Sequence, residues 1–321
     1  MLDVTVVVCT HNPRPDYLAR VLDGLQRQTL PQTQWELLVV DNASRHVLAS
    51  RWDMSWHPNS RHLQESELGL VWARRRGIQQ ASGALIVFVD DDNVLDETYL
   101  AEAFKIHCQW PALGVWGSGS IRGDFEKEPP ESIPELRPWL ALRELPHPRW
   151  GNVAWSDDAI PWGAGLCVRK EVALAYAEIC ERSGIQIVGR QGKSLLSADD
   201  REISLLCCSH GLGIGIFPEL GLTHLIPEHR LSKEYFLRLV EGTYVSNFLL
   251  DYKWRQIIPQ PTFSFKTLAT VLKTVLLCRG LDRDKRFAWV RALIKARKMI
   301  EHDLQANGHS TSRPCTPARA G

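Results

Sequence analysis

The chain has 321 residues, 44% of them hydrophobic, enough for a sizeable core in one large domain or one domain with an appendage. Its eight cysteines form no C-x-x-C pair and no zinc-type Cys/His spacing, and Met1-Leu2-Asp3-Val4 lacks a basic region ahead of a signal-like core, so a cytoplasmic setting is expected. The net charge is +1, and no apolar run approaches the roughly 20 residues of a membrane span.

Val4-Thr-Val-Val-Val-Cys9 has the unbroken apolar, β-branched character of a strand buried on both faces. It ends at Thr10-His11-Asn12-Pro13. Tyr17, Leu18, Val21, Leu22 and Leu25 follow at helical spacing, and Gln28-Thr-Leu-Pro31 stops that helix. Trp35-Glu-Leu-Leu-Val-Val40 is a second buried strand, ending in Asp41-Asn42-Ala43-Ser44. The three elements make a right-handed βαβ unit with polar residues at both carboxyl ends, where open α/β sheets bind ligands. Asp41 reads either as a ligand for a base or sugar or as a cap or turn residue.

Leu68-Gly69-Leu70 introduces a helix over Val71-Trp-Ala-Arg-Arg-Arg-Gly77-Ile78. A triple-Arg run is ordinarily a solvated face. This one leads into an acidic strand end, which puts one arginine, taken as Arg74, within reach of a diphosphate. The strand itself, Ala84-Leu-Ile-Val-Phe-Val-Asp90-Asp91-Asp92-Asn93, stops in three carboxylates. Adjacent carboxylates suit a hard divalent cation carrying phosphate oxygens; an Asp-rich turn is the alternative. A helix with Leu100, Phe104 and His107 and a strand around Leu113–Trp116 come next. No G-x-G-x-x-G follows the first strand and no Walker-type G-K-[ST] occurs, which argues against a dehydrogenase or a P-loop nucleotidase.

Six prolines fall between Glu128 and Pro148, so regular structure is not expected there. The segment reads as a mobile loop over a site or as a packed surface loop. Pro161-Trp-Gly-Ala-Gly-Leu-Cys-Val-Arg-Lys170 leads into a helix through Ala173 and Tyr176, and its small residues permit close approach of another chain or a ligand. Ser197-Ala-Asp199-Asp200-Arg-Glu202 opens a helix over Ile203–Ser209, with Ser197 or Asp199 as its cap. A second consecutive Asp is not required for capping. Short strands are expected at Ile214–Phe217 and Gly221–His224; a lone histidine is ordinarily structural unless an acidic metal site lies nearby.

Charge is unevenly spread. From Lys253 to Lys298 twelve Lys or Arg stand against Asp282 and Asp284, a local +10, so the rest of the chain carries −9. Phe265, Leu268, Leu272, Val275 and Leu276 form one helical apolar face, and Phe287, Val290, Leu293, Ile294 and Ile300 another, with Trp289 alongside. Two readings stand: basic amphipathic helices lying on an anionic membrane, peripheral at its inner face, or helices packed on the rest of the protein with solvated basic faces. No nucleic-acid partner is expected. Residues 307–321 are polar and expected to be disordered.

Val-Val-Val-Cys-Thr-His-Asn, Val-Val-Asp41-Asn-Ala-Ser, Leu-Gly-Leu-Val-Trp-Ala-Arg-Arg-Arg-Gly, Phe-Val-Asp90-Asp91-Asp92, Trp-Gly-Ala-Gly-Leu-Cys-Val-Arg-Lys, Ala-Asp199-Asp200-Arg-Glu-Ile and Thr-His224-Leu-Ile-Pro occur in this order over about two thirds of the chain. Together they resemble the family-2 glycosyltransferases. The resemblance implies an α/β, GT-A type nucleotide-sugar-binding domain with a central mostly parallel sheet over residues 1–235; beyond Tyr235 it fades, and the helical pattern there predicts a basic amphipathic extension over 236–306. The resemblance implies that Thr10 and Asp41 hold the nucleotide base, that Asp90 contacts the ribose, and that Asp92 coordinates Mg²⁺ or Mn²⁺ on the diphosphate, with Asp91 sharing the metal. His224 matches a position that offers a further metal or diphosphate contact in many GT-A enzymes. Asp200 matches the second acid of the family's Glu-Asp motif, the catalytic base; Asp199 stands where the Glu does, so the base is one of these two. Arg75 departs from the family's Ala-Arg-Asn-x-Gly pattern.

The implied reaction moves a sugar from a UDP-, GDP- or dTDP-sugar to a glycan or lipid-linked acceptor in polysaccharide or glycan biosynthesis. A metal-bound leaving group and one carboxylate base imply a single displacement with inversion. Trp150, Trp155 and Trp162 are candidates for stacking on sugar rings. Two other readings compete. A sugar nucleotidyltransferase would carry a Gly-rich, basic loop where Thr10-His11-Asn12-Pro13 stands, and an inactive sugar-binding scaffold is opposed by the presence of Asp92 and Asp200.

Overall fold

A computed structural model describes residues 2–131, 133, 135–153, 155–156, 158–182, 195–259 and 265–307. The first half runs β1 (Val4–Thr10), α1 (Pro15–Gln26), β2 (Trp35–Asn42), β3 (Ser60–Glu65), α2 (Leu70–Gln80), β4 (Leu85–Asp90), β5 (Asn93–Leu95), α3 (Tyr99–Gln109) and β6 (Leu113–Phe125). It continues with α4 (Leu136–Trp139), β7 (Arg143–Glu144), β8 (Arg149–Gly151), β9 (Leu166–Arg169), α5 (Lys170–Arg182), α6 (Asp199–Ser209) and β10 (Gly213–Ile226). Three helices close the described chain: α7 (Lys233–Arg255), α8 (Phe265–Leu277) and α9 (Gly280–Asn307).

All ten described strands join one sheet, in the order β3-β2-β1-β4-β9-β6-β10-β5, with β7 on β6 and β8 on β10. β3, β2, β1 and β4 are parallel; β9 is antiparallel to both β4 and β6, and β10 is parallel to β6. Every long strand except β9 therefore points the same way, and the carboxyl ends of β1, β2, β4, β6 and β10 share one edge. The apolar runs are buried on both faces, as their lack of alternation requires. Val7, Cys9, Leu38, Val40, Ile86 and Phe88 pack towards α2, α5, α6, α7 and α9. Their neighbours Val6, Val8, Leu37, Val39, Val87 and Val89 pack towards α1 and α3.

Four expectations change. The Pro-rich segment is not structureless: α4 and β7 form within it, and Ile133, Leu136 and Leu140 pack with Phe236 and Val240 of α7. The two short strands before His224 are one strand, β10, with an irregularity between Phe217 and Gly221. The expected division at residue 235 falls inside α7, whose Val245, Leu249 and Leu250 belong to the core beneath the sheet. In α9 the packed stripe is Ala288, Ala292, Leu293, Ala296 and Ile300, whereas Phe287, Val290 and Ile294 are only partly buried. Small alanines recurring every four residues let α9 lie close against α7, which the expectation from bulky residues alone overlooks. Residues 308–321 and the side chains of Val275 and Leu276 lie outside what the structure describes. No described helix is long and apolar enough to cross a membrane.

Candidate active site

The shared carboxyl edge of the strands opens into a cavity of about 750 Å³. Thr10, Arg74, Asp90, Asp91, Asp92, Asp199, Asp200 and His224 all line it, though they come from five separate stretches of sequence. Asp41 does not. Its two carboxylate oxygens accept the amides of Ser44 (3.1 Å) and Leu48 (3.2 Å), so it shapes the loop after β2. That loop is tied to the one after β1: the Asn12 amide donates to Ser44 Oγ at 2.8 Å, and Asn12 Oδ1 accepts from the Arg45 amide at 2.9 Å.

The acidic turn is placed by strand register. Asp91 and Asp92 bridge β4 to β5, which pairs antiparallel with β10 so that Asn93 faces His224. The Leu225 amide donates to the Asp92 carbonyl at 2.8 Å. These pairings bring Asp92 Oδ2 to 3.6 Å from His224 Nε2. Asp91 accepts a hydrogen bond from the Thr10 hydroxyl, and burial together with the neighbouring Asp92 carboxylate pushes its pKa up to about 7.

Asp92 and His224 are of the types that ligate a divalent cation, although among the described residues no three His, Cys, Asp or Glu side chains are grouped closely enough to hold one. His224 Nδ1 lies 2.9 Å from the Leu140 carbonyl, which can only accept, so the ring proton sits on Nδ1 and the Nε2 lone pair faces the cavity. A backbone carbonyl holding one ring nitrogen while the other faces the metal is the usual support for a ligating histidine. A cationic group already marks the position: Arg230 Nη1 is 3.0 Å from Asp92 Oδ2 and 3.1 Å from His224 Nε2. Arg230 follows Pro227 in a 3₁₀ turn, Glu228–Leu231, and its sequence neighbourhood carried no signal beyond proximity to His224.

On the other wall the two consecutive acids part company. Arg74 is buried and its Nη1 pairs with Asp199, while its Nη2 lies 3.6 Å from Asp90 Oδ1. Asp199 is therefore committed to an internal ion pair. Among the described residues Asp200 accepts only backbone amides, from Gly163 at 2.9 Å and from Arg201 at 2.7 Å. Burial and the adjacent Asp199 push Asp200 up to about 6, against the pull of Arg74. Neither Ser197 nor Asp199 caps α6: its N-cap is Ala198, which has no side-chain cap bond. Arg75 pairs with Glu181, on the side of α2 away from the cavity.

The glycines of Trp162-Gly-Ala-Gly165 admit this chain's own groups. A Cβ on Gly163 would stand 3.1 Å from Arg74 Nη2 and 3.7 Å from Asp200 Oδ2. Gly165 has φ +70°, and a Cβ there would fall 2.3 Å from the Tyr99 hydroxyl oxygen. Of the three candidate stacking tryptophans, only Trp162 lines the cavity. Trp150 packs against Trp110, and Trp155 lies under Arg255. Residues that sequence reasoning missed complete the far wall: Trp139 and Arg143 from the Pro-rich segment, and Thr243, Tyr244 and Asn247 from α7.

Residues 5–154 match the family model described as Glycosyl transferase family 2. Among curated proteins, the chain is 29% identical over 115 residues to the glycosyltransferase AglE of Haloferax volcanii, and 27% identical over 143 residues to the poly(ribitol-phosphate) beta-N-acetylglucosaminyltransferase TarS of Staphylococcus aureus. The matched regions cover 35% and 41% of this chain, and the chain spans only 34% of AglE and 24% of TarS. The structure of S. aureus TarS residues 1–349 in complex with UDP-GlcNAc superposes with TM-score 0.51 and 15% identity, covering 94% of this chain and 92% of that one. The mannosyltransferase PcManGT from Pyrobaculum calidifontis, in complex with GDP-Man and Mn²⁺, gives TM-score 0.51 and 20% identity, covering 97% and 76%. At those identities the superpositions speak for the fold, and the family match speaks for the lineage. Residues 5–154, just under half of the chain, carry the similarity to the family 2 glycosyltransferases, and the superpositions show that the chain shares the GT-A fold of these neighbours.

Proposed function

We propose that the protein transfers a sugar from a nucleoside diphosphate sugar to an acceptor hydroxyl by a single displacement with inversion at the anomeric carbon. The observation that carries this reading is the convergence, in one cavity, of the Asp92–His224 pair and of Asp200, a carboxylate with no ion pair among the described residues. Asp92 and His224 would hold Mg²⁺ or Mn²⁺, with Asp91 beside them. Bound there, the ion would act as a Lewis acid for the charge of the departing diphosphate. Thr10 and Asp90 flank the donor end, and Arg74 acts behind them by neutralising Asp90 and Asp199. Asp200 is the base. Its carboxylate is oriented by the Gly163 and Arg201 amides, and its raised pKa makes it a better proton acceptor than an ordinary aspartate while leaving it ionised at neutral pH. It takes the acceptor's proton as that oxygen attacks the face opposite the diphosphate. Asp199, the other nearby acid, is engaged by Arg74, which disfavours a second nucleophilic role.

Thermal melts with UDP-, GDP- and dTDP-sugars and Mn²⁺ test the donor half; a ligand at about 100 times its Kd adds about 2.7 kcal/mol to stability. If no nucleotide sugar shifts the melt or is consumed, the proposal fails. Asp200→Asn should lower turnover by about 10² or more while nucleotide affinity stays near wild type.

We further propose that α8 rests on an anionic lipid surface, where lipid-linked acceptors are found. Phe265, Leu268 and Leu272 lie on one side of α8 and are 88%, 65% and 58% exposed, and Lys273 on α8, Arg279 after it and Arg283 and Arg286 on α9 are exposed too. α9, by contrast, is packed. Cosedimentation with vesicles containing phosphatidylserine should lose most of its signal when Phe265, Leu268 and Leu272 are changed to serine; equal sedimentation of both proteins would remove the idea.

A further inference from the structure

The far wall holds a cation that the mechanism above does not use. Arg143, on β7, lines the cavity with its guanidinium carbon 3.5 Å from the centre of the Trp162 ring. Its hydrogen bonds are long: Nη1 and Nη2 each lie 3.4 Å from the Ile160 carbonyl. No carboxylate pairs with it among the described residues. A half-buried guanidinium stacked on an aromatic face, with donors directed at one shared carbonyl, retains unused hydrogen-bonding capacity in a fixed plane. Burial and the nearby Arg149 lower its pKa to about 10 against the attraction of Asp200, as expected for a desolvated cation without a counter-ion.

Its position relates it to the base. Trp162, on which Arg143 stacks, immediately precedes Gly163, whose amide holds Asp200. Arg143, Trp162 and Asp200 line the same cavity. Trp139 and Tyr244 also line it with aromatic surface.

We propose that Arg143 on Trp162 is an oxyanion subsite, and that the acceptor carries a phosphate or a carboxylate close to the hydroxyl that reacts. This rests on the glycosyltransferase reading, because it takes Asp200 to mark the acceptor hydroxyl. Arginine presents paired N–H donors that match either oxyanion in two-point fashion.

Saturation-transfer NMR on the full chain, with UDP or GDP and Mn²⁺ present, tests it with four probes: glycerol 3-phosphate, methyl glucuronoside, inorganic phosphate and neutral methyl glucoside. The wild type should bind at least one of the two charged acceptor analogues about tenfold more tightly than methyl glucoside, and which one binds identifies the anion. Arg143→Gln should lose that preference, Arg143→Lys should regain part of it, and nucleotide affinity should match wild type in both variants. Equal binding of charged and neutral probes to the wild type overturns the proposal, as does binding of inorganic phosphate alone or an unchanged preference in a folded Arg143→Gln protein. A parallel loss of nucleotide affinity in Arg143→Gln also overturns it, by assigning the residue to the donor. Failure of the parent reading looks different: no nucleotide would bind the wild type, whatever the probes do.

Discussion

Replacing Arg74 by methionine removes a charge and five N–H donors while keeping an unbranched side chain in roughly the same space. The side chains of Arg74 and Asp199 are only 2% and 3% exposed, so water cannot take over the lost contact. Asp199 would be left buried without a counter-ion, and Asp90 would lose a guanidinium 3.6 Å away. Removing one partner of a buried ion pair costs about 3–5 kcal/mol, a large part of the roughly 5–15 kcal/mol that holds a typical protein folded. Midpoints move about 2–4 °C per kcal/mol in chains of 150–250 residues, so Arg74→Met should melt roughly 10 °C below wild type at pH 7.5. A buried acid without its partner is disfavoured in the ionised form, which raises its folded pKa above the unfolded one. Such a group contributes stability below the unfolded pKa and loses it as pH rises through the folded value, so the deficit should shrink as pH is lowered from 7.5 towards 4.5. Adding Asp199→Asn to Arg74→Met should recover most of the loss at pH 7.5. Scanning calorimetry on wild type, single and double variants gives the answer. A single variant that melts within a degree or two of wild type, or a double variant no more stable than the single, refutes the counter-ion role. A variant that keeps its stability but loses nucleotide binding makes Arg74 a donor ligand instead.

Three shorter expectations follow from the same wall and its opposite. Because Asp200 must be ionised to accept a proton and its pKa is pushed up to about 6, kcat/KM should fall about tenfold per pH unit below pH 6; an acid limb near pH 4 would point to an unperturbed carboxylate. Arg230→Ala should tighten Mn²⁺ binding in the absence of nucleotide, read from the free Mn²⁺ signal in electron paramagnetic resonance, since the guanidinium now sits between Asp92 and His224; unchanged affinity would show that it does not compete. Gly163→Ala should lower kcat roughly tenfold with a smaller effect on nucleotide affinity, because its Cβ would press on Arg74 Nη2 at 3.1 Å, in the guanidinium that pairs with Asp199 beside Asp200; wild-type kcat would show that the wall yields.

Continuous apolar runs made β1, β2 and β4 legible in the sequence, since burial on both faces leaves no other pattern, and the residues at their carboxyl ends follow from the strand direction. What the pattern could not carry is rotation and long-range contact. Which of three consecutive arginines turns inward depends on the face that α2 buries, Val71, Ala73, Arg74, Gly77 and Ile78, and Asp199 was distinguishable from Asp200 only once Arg74 was placed. Asp41 looked like a ligand because it ends a strand, yet the loop's own amides occupy both of its oxygens. The far wall escaped for another reason. Prolines suppress periodicity between residues 128 and 148, and α7 mixes buried Leu239 and Val240 with the cavity-lining Thr243 and Asn247, so neither segment announced that it belonged to the site.

β9 runs against its neighbours, and that reversal works as a ruler. Because it is antiparallel to β4, its first residue, Leu166, lies opposite Phe88 near the end that carries Asp90, and the glycine loop before it emerges beside the acids rather than at the opposite edge. The gap between the Asp90 side and the Gly163–Asp200 side is thus set by two paired strands. The chain between β6 and β9, residues 126–165, is anchored at both ends of that gauge and supplies Arg143, Trp139 and Trp162. Under the proposed reading, substitutions in the middle of that segment would change which acceptor fits while leaving the spacing of Asp90 and Asp200 as the strands set it.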